Sequence, residues 1–178
     1  MPGTRQRRLL LVRHAKSAWP DVADHERPLA ARGRRQAPLV GAWLASNGYL
    51  PDLVLCSTAR RAVQTWRLMA GGLAATPRVS SDERIYAAAW TALLDLVRQT
   101  PQTVVTLMLV GHDPGIADLT RVLSEEEAGG SAEGALQRIQ AKFPTGAVAV
   151  LSVAGSWQDL DTDGARLTEF VAPRDLER

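Results

Sequence analysis

Two of the three histidines in this chain stand straight after apolar runs, where a strand would end. "LLLVRH", residues 9–14, closes on Arg13-His14, and "TLMLVGH", residues 106–112, closes on Gly111-His112. The third, His25, lies in a polar stretch and is expected to be solvated. An imidazole can ligate a metal, exchange a proton or attack as a nucleophile. Two histidines with Asp24 or Asp113 supply enough donors for zinc or iron, but arginines beside such a set oppose a cation, so no metal is expected. Guanidinium groups instead match phosphate oxygens through paired hydrogen bonds. A single strand-end histidine is ordinarily a hydrogen-bonded structural residue. Two of them, delivered with arginine, suggest phosphoryl transfer to histidine, with no cofactor.

The elements that must position these residues follow from periodicity. "RLLLVRH" and "TVVTLMLVGHD" are continuous apolar runs of strand length, the pattern of strands covered on both faces. "PDLVLCS" is a further strand, and "TPRVSSDERIY" holds a short strand and a loop. Helical spacing marks a segment from Gly33 to Asn47-Gly48, with Leu39, Val40, Trp43 and Leu44 as its apolar face and Pro38 expected to kink it or delay its start. Helices also follow in "TARRAVQTWRLMAGG", in "AAAWTALLDLVRQT" and in "PGIADLTRVLSE", with Pro114 at the first turn of the last. Two final strands, "GAVAVLSVAG" and "ARLTEFVAP", flank "SWQDLDTDG", whose Asp163-Gly164 is a hairpin turn signal. Strands alternating with helices predict an α/β fold, a three-layer α/β/α sandwich with a mostly parallel central sheet and an antiparallel hairpin. Such sheets bind ligands beyond the carboxyl ends of their strands, where His14 and His112 fall.

A chain of 178 residues fits one domain spanning 1–178, with residues 1–7 expected to be flexible and 124–144 a loop-rich insertion holding at most a short helix. Net charge is +2, and the lone Cys56 excludes an intramolecular disulfide, so a reducing cytoplasmic setting is expected. The apolar run after "MPGTRQRR" is too short for a signal peptide or membrane span. Clustered arginines raise nucleic acid as a partner, but a basic helix run and an aromatic platform are both missing. A monomer is expected.

Three motifs resemble the histidine phosphatase superfamily, the phosphoglycerate mutase-like clan. "LVRHAKS" resembles its R-H-G signature with Ala15 in place of glycine. "CSTARRAVQT" resembles S-x-x-x-R-A-x-Q-T through Ser57, Arg61, Ala62, Gln64 and Thr65, and "LVGHDPG" resembles G-H-N-P with Asp113 in place of asparagine. The short chain and "DHERPLAARG" look most like the SixA-type phosphohistidine phosphatases. The resemblance covers most of residues 8–120. It implies a phosphoglycerate mutase-like fold and a metal-independent phosphatase with His14 as nucleophile. Arg13, Arg61 and His112 would hold the phosphoryl oxygens, with Ser17 adding a hydrogen bond, and Arg13 and Arg61 would lower the His14 pKa. Expected partners are a phosphohistidine protein or a small phosphorylated molecule; a non-catalytic phosphate binder is the rival from another class. Helical geometry lets only one of Arg60 and Arg61 face the phosphate, and the motif register favours Arg61. Glu83 in "DERIY" is a candidate proton donor or a solvated loop residue. Asp24 and Arg27 either line the rim or hold a turn, Lys16 either steers phosphate or is solvated, and Asp113 is placed to modulate His112.

Overall fold

The computed structural model describes residues 6–124 and 131–177. A six-stranded sheet runs in the order β3 (Arg78–Asp82), β2 (Leu53–Ser57), β4 (Thr106–Gly111), β1 (Arg7–Arg13), β5 (Val148–Val153), β6 (Ala165–Val171). The pairings among β3, β2, β4 and β1 are parallel, and those from β1 to β5 and β5 to β6 antiparallel. Leu9 and Leu11 of β1 face one core with α3 (Trp90–Arg98), α4 (Gly115–Leu123) and α5 (Ser131–Ala141). Leu10 and Val12 face the other, with α1 (Ala31–Ser46) and α2 (Arg60–Ala70). All four aliphatic residues are fully buried, which is why β1 shows no polar alternation. The arrangement is the α/β/α sandwich expected.

Several local expectations change. α1 begins at Ala31 and runs through Pro38, which is exposed, so the carbonyl that proline leaves without a donor is on the solvated side. Its buried face is Gly33, Gln36, Ala37, Val40, Gly41 and Leu44, while Leu39 points outward at 38% exposure. Arg7 belongs to the sheet: it opens β1, pairs with Val153 and donates to the Gly155 carbonyl at 2.7 Å. Residues 1–5 lie outside the described residues. Within 124–144, α5 occupies eleven residues, and its Ile139 joins Phe143 in the core; residues 125–130 are outside the description. β5 and β6 are joined by residues 154–164 rather than a two-residue turn. Asp163 takes the left-handed φ of 55°, and this connection carries the fully buried Trp157, whose indole N–H donates to the Val104 carbonyl at 2.8 Å.

One close approach fixes the loop between β1 and α1. A side-chain carbon on Gly33 would lie 2.3 Å from the Lys16 carbonyl oxygen, and that carbonyl accepts the Ala30 N–H at 2.9 Å. In an unconstrained helix, Gly→Ala stabilises by about 1 kcal/mol. Here the sign reverses: Gly33→Ala is expected to destabilise by about 1–3 kcal/mol in urea denaturation, the cost of overpacking against rigid backbone. A stabilised variant would mean that the loop can move aside.

Candidate active site

Strand register brings the two histidines together. β1 and β4 pair in parallel with Arg13 opposite Gly111, so the next residue on each strand is a histidine. The His14 N–H donates to the Gly111 carbonyl at 3.0 Å, and the ring centroids are 5.1 Å apart at 55°. Both residues are more than nine-tenths buried. His14 Nδ1 lies 2.8 Å from the Ala15 carbonyl oxygen. A carbonyl only accepts, so the neutral ring carries its proton on Nδ1 and leaves the Nε2 lone pair bare. The loop is pinned from two sides. The Ala15 N–H donates to Thr65 Oγ1 at 2.9 Å, and the Gly146 N–H, at φ +79°, is shared between the Arg13 and His14 carbonyls at 3.0 Å each.

Asp24 organises the cations on the α2 side. Its carboxylate accepts from Arg27 at 3.0 Å, Arg61 at 3.0 Å and the Tyr86 hydroxyl at 2.5 Å, and its backbone carbonyl takes a second Arg61 bond at 2.6 Å. The Tyr86 bond, then the Arg27 bond, holds the Asp24 carboxyl well below the usual carboxylate range, so it is a fixed anion. Arg61 is thereby immobilised with its side chain 8% exposed, whereas Arg60, one residue earlier on α2, is exposed. Arg27 also donates to the Ala18 carbonyl and to Ser17 Oγ at 2.6 Å, and its guanidinium stacks 3.2 Å from the ring centre of exposed Trp19. Ser17 is thus a ligand of Arg27, and Asp24 and Arg27 do more than hold their own turn. On the other side of His14, Arg13 bonds the Phe143 carbonyl at 2.7 Å and Asp113 at 3.0 Å. The Asp113 carboxylate therefore pairs with Arg13 rather than acting on His112; its buried Oδ1 has no partner among the described residues.

His112 Nε2 bonds Ser57 Oγ at 2.7 Å, and Ser57 Oγ accepts the Ala59 N–H at 3.2 Å. Its Nδ1 is buried without a hydrogen-bond partner among the described residues, an arrangement that leaves a donor site for a ligand. Tyr86 packs edge-on to His112 at 5.5 Å, and His25 edge-on to Tyr86 at 5.0 Å. His25 is not simply solvated: its Nε2 bonds Thr58 Oγ1 at 2.9 Å, so all three histidines belong to one run of rings. The His14 pKa is lowered to about 3: burial is the largest cause, the Ala15 carbonyl bond opposes it, and His112, Arg61 and Arg13 add smaller reductions. The arginines are therefore secondary to desolvation as the cause. His112 is lowered to about 4, again by burial first and then by Arg61.

Glu83 follows β3 on a 3-10 turn, Glu83–Ile85, at the same rim; it is exposed, and its side chain bonds no described residue. Lys16 is exposed on the opposite side. Tyr86 and Trp19 sit in irregular segments without a periodic signal, and His25 stands in a polar stretch that by itself predicts solvation. Gln64 explains its place in the motif by accepting the Leu29 N–H at 2.8 Å, which ties α2 to the start of α1. Among the described residues, no three His, Cys, Asp or Glu side chains cluster as metal ligands would, and no helix is long and apolar enough to cross a membrane.

Comparison with known proteins places these features in a wider set. Residues 9–156 match the histidine phosphatase superfamily (branch 1). An uncharacterized protein of Mycobacterium tuberculosis is 45% identical over 164 residues, covering 92% of this chain and all of that protein. The structure of a candidate phosphohistidine phosphatase SixA from Nakamurella multipartitia superposes with a TM-score of 0.81 at 35% identity, covering 94% of this chain and 96% of that one. A second SixA candidate, from Agrobacterium tumefaciens, gives 0.77 at 29% identity, over 94% and 98% of the two chains.

Both rings are buried neutral, so each stabilises the fold above its ordinary pKa, and that contribution falls as pH drops from 6.5 towards the lowered folded values. In imidazole 15N NMR of the free protein, His14 and His112 are expected to stay neutral well below 6.5, with His14 as the Nδ1–H tautomer. Protonation of either near 6.5 would contradict the burial described.

Proposed function

The chain belongs to the histidine phosphatase superfamily and is a histidine-type phosphatase, and from that premise we propose that its substrate is a phosphohistidine on a protein. The observation that supports this reading most directly is the His14–His112 pair: a neutral ring with bare Nε2, faced by a buried ring whose Nδ1 has no described partner. His14 Nε2 attacks phosphorus, the N–P bond of a substrate ring already protonated on its other nitrogen breaks, and that ring leaves as neutral imidazole. Arg13, Arg61 and the His112 Nδ1–H hold the oxygens as charge redistributes; Ser57 Oγ–H directed at Nε2 keeps the His112 proton on Nδ1. Water then displaces phosphate from His14 and restores the ring. No step requires a metal.

Leaving-group chemistry separates the substrate classes. An alkoxide needs a proton as its bond breaks, whereas a protonated imidazole leaves readily. Asp24 is a fixed anion, Asp113 pairs with Arg13, and Glu83 is exposed without a described partner, so among the described residues no carboxylic acid is held against the ring pair. That favours phosphohistidine over a sugar or nucleotide phosphate, as does the name SixA carried by the two similar structures.

Rapid quenching during turnover is expected to trap acid-labile, base-stable phosphate on His14, and His14→Ala to abolish turnover while keeping the fold. Phosphoserine in the trapped enzyme, or full activity with no labelled enzyme, would sink the nucleophile assignment. With no acid held against the ring pair, Glu83→Gln is expected to leave phosphohistidine and alkyl phosphate hydrolysis alike within about tenfold, short of the roughly 10²-fold loss that removing a positioned acid causes. An unaltered enzyme that prefers alkyl phosphates, and loses that preference in Glu83→Gln, would instead make this a small-molecule phosphomonoesterase.

A further inference from the structure

β1 divides the rim of the sheet into two halves. The carboxyl ends of β2, β4 and β1 carry Ser57, His112 and His14 on one side. On the other, the antiparallel pairing brings the start of β5 and the end of β6 to the same level. A cavity of about 270 Å³ opens there, lined by Arg13, Lys16, Arg32, Lys142, Arg174 and Thr145 among others and, among the described residues, by no carboxylate. Lys16, Arg32 and Lys142 are exposed and pair with no described acidic side chain. Neighbouring acids offset part of this charge: Asp113 pairs with Arg13 at 3.0 Å, Asp175 accepts from Arg138 and lies 4.0 Å from Arg174, and Glu177 accepts from Gln36. Arg13 Nε is buried without a described partner, and Arg13 follows the β1 strand into His14, so it belongs to both halves.

Lys16, Arg32 and Lys142, without described acidic partners, join the paired Arg13 and Arg174 around one concavity and focus a positive potential into it. The space holds several water-sized groups, enough for a hydrated oxyanion. We propose that this cavity is a second oxyanion subsite, joined to the reaction centre through Arg13, which takes a phosphate or carboxylate group carried by the same molecule as the transferred phosphoryl group. The proposal rests on the phosphatase reading only for the position of the first phosphate. An acidic side chain beside a phosphohistidine and a second phosphate on a small molecule would present the same chemistry.

Inhibition of p-nitrophenyl phosphate hydrolysis tests it at low ionic strength, where such contacts are least screened. Diphosphonates joined by one and by three carbons are compared with methylphosphonate. In the unaltered protein at least one diphosphonate is expected to inhibit about tenfold more tightly, of the order a charge-assisted contact provides. The double variant Arg32→Ser/Lys142→Ser, at two exposed positions, should lose that advantage while kcat and methylphosphonate inhibition stay within about twofold, because it leaves the reaction centre untouched. No advantage in the unaltered protein, or an advantage that survives in the double variant, overturns the subsite. If p-nitrophenyl phosphate is not turned over, calorimetric binding of the same phosphonates decides the subsite, and absence of turnover of phosphohistidine peptides is what separately overturns the substrate reading. Phosphohistidine peptides with Asp or Ser flanks then identify the source. A KM advantage for Asp flanks, lost in the double variant, places the anion on a protein. A response to diphosphonates alone places it on a small molecule.

Discussion

Cations that are to receive an anion must be held together before it arrives, against their own repulsion. Arg13, Arg27 and Arg61 converge around a pair of buried imidazoles, and two aspartates make that convergence possible. Asp24 binds Arg27, Arg61 and Tyr86 at once, from three different segments of the chain. Asp113 does the same for Arg13 alone. Since each guanidinium keeps further donors beyond these contacts, the site is fixed in place without being neutralised. Preorganised donors of this kind need no rearrangement when charge moves in the transition state.

Burial supplies the second half of the chemistry. A histidine with an ordinary pKa would be partly protonated, and so partly inert as a nucleophile, in mildly acidic conditions. Depth in the rim, more than the charge of neighbouring arginines, keeps His14 neutral. The same depth makes the Ala15 carbonyl decisive, because in a desolvated pocket the ring must give its one proton to the one acceptor available. Fold and reactivity thus meet in the register of β1 against β4, which sets both the burial and the 5.1 Å spacing of the rings.

Much of this was legible in the residues. β1 and β4 announce themselves as unbroken aliphatic runs because both faces are covered, and strand-end histidines mark the rim. Helical spacing allows only one of Arg60 and Arg61 to face the site, and the motif register picks Arg61 before any contact is known. What could not be read are facts of pairing between distant segments. Nothing local says that Arg13 stands opposite Gly111, that Thr65 holds the Ala15 amide, or that Tyr86 and His25 complete the run of rings. Local rules also yielded to tertiary context: Pro38 is tolerated because it faces solvent, and a connection that reads as a plain turn buries Trp157. Glu83 had a motif on its side, yet nothing in the contacts of its turn directs it at the ring pair.

The neighbours of β1 carry a consequence for biosynthesis. It pairs with β4, about a hundred residues later, and with β5, which begins at Val148; the Gly146 amide that clamps the Arg13 and His14 carbonyls belongs to that same late stretch. On a ribosome adding roughly 5–20 residues per second, the first strand therefore waits on the order of ten seconds for either partner. Throughout that interval a run of four aliphatic residues has neither of its sheet neighbours. The reaction centre therefore cannot be assembled until most of the chain has been made, because the strand that carries His14 is seated only when β4 and β5 have both emerged.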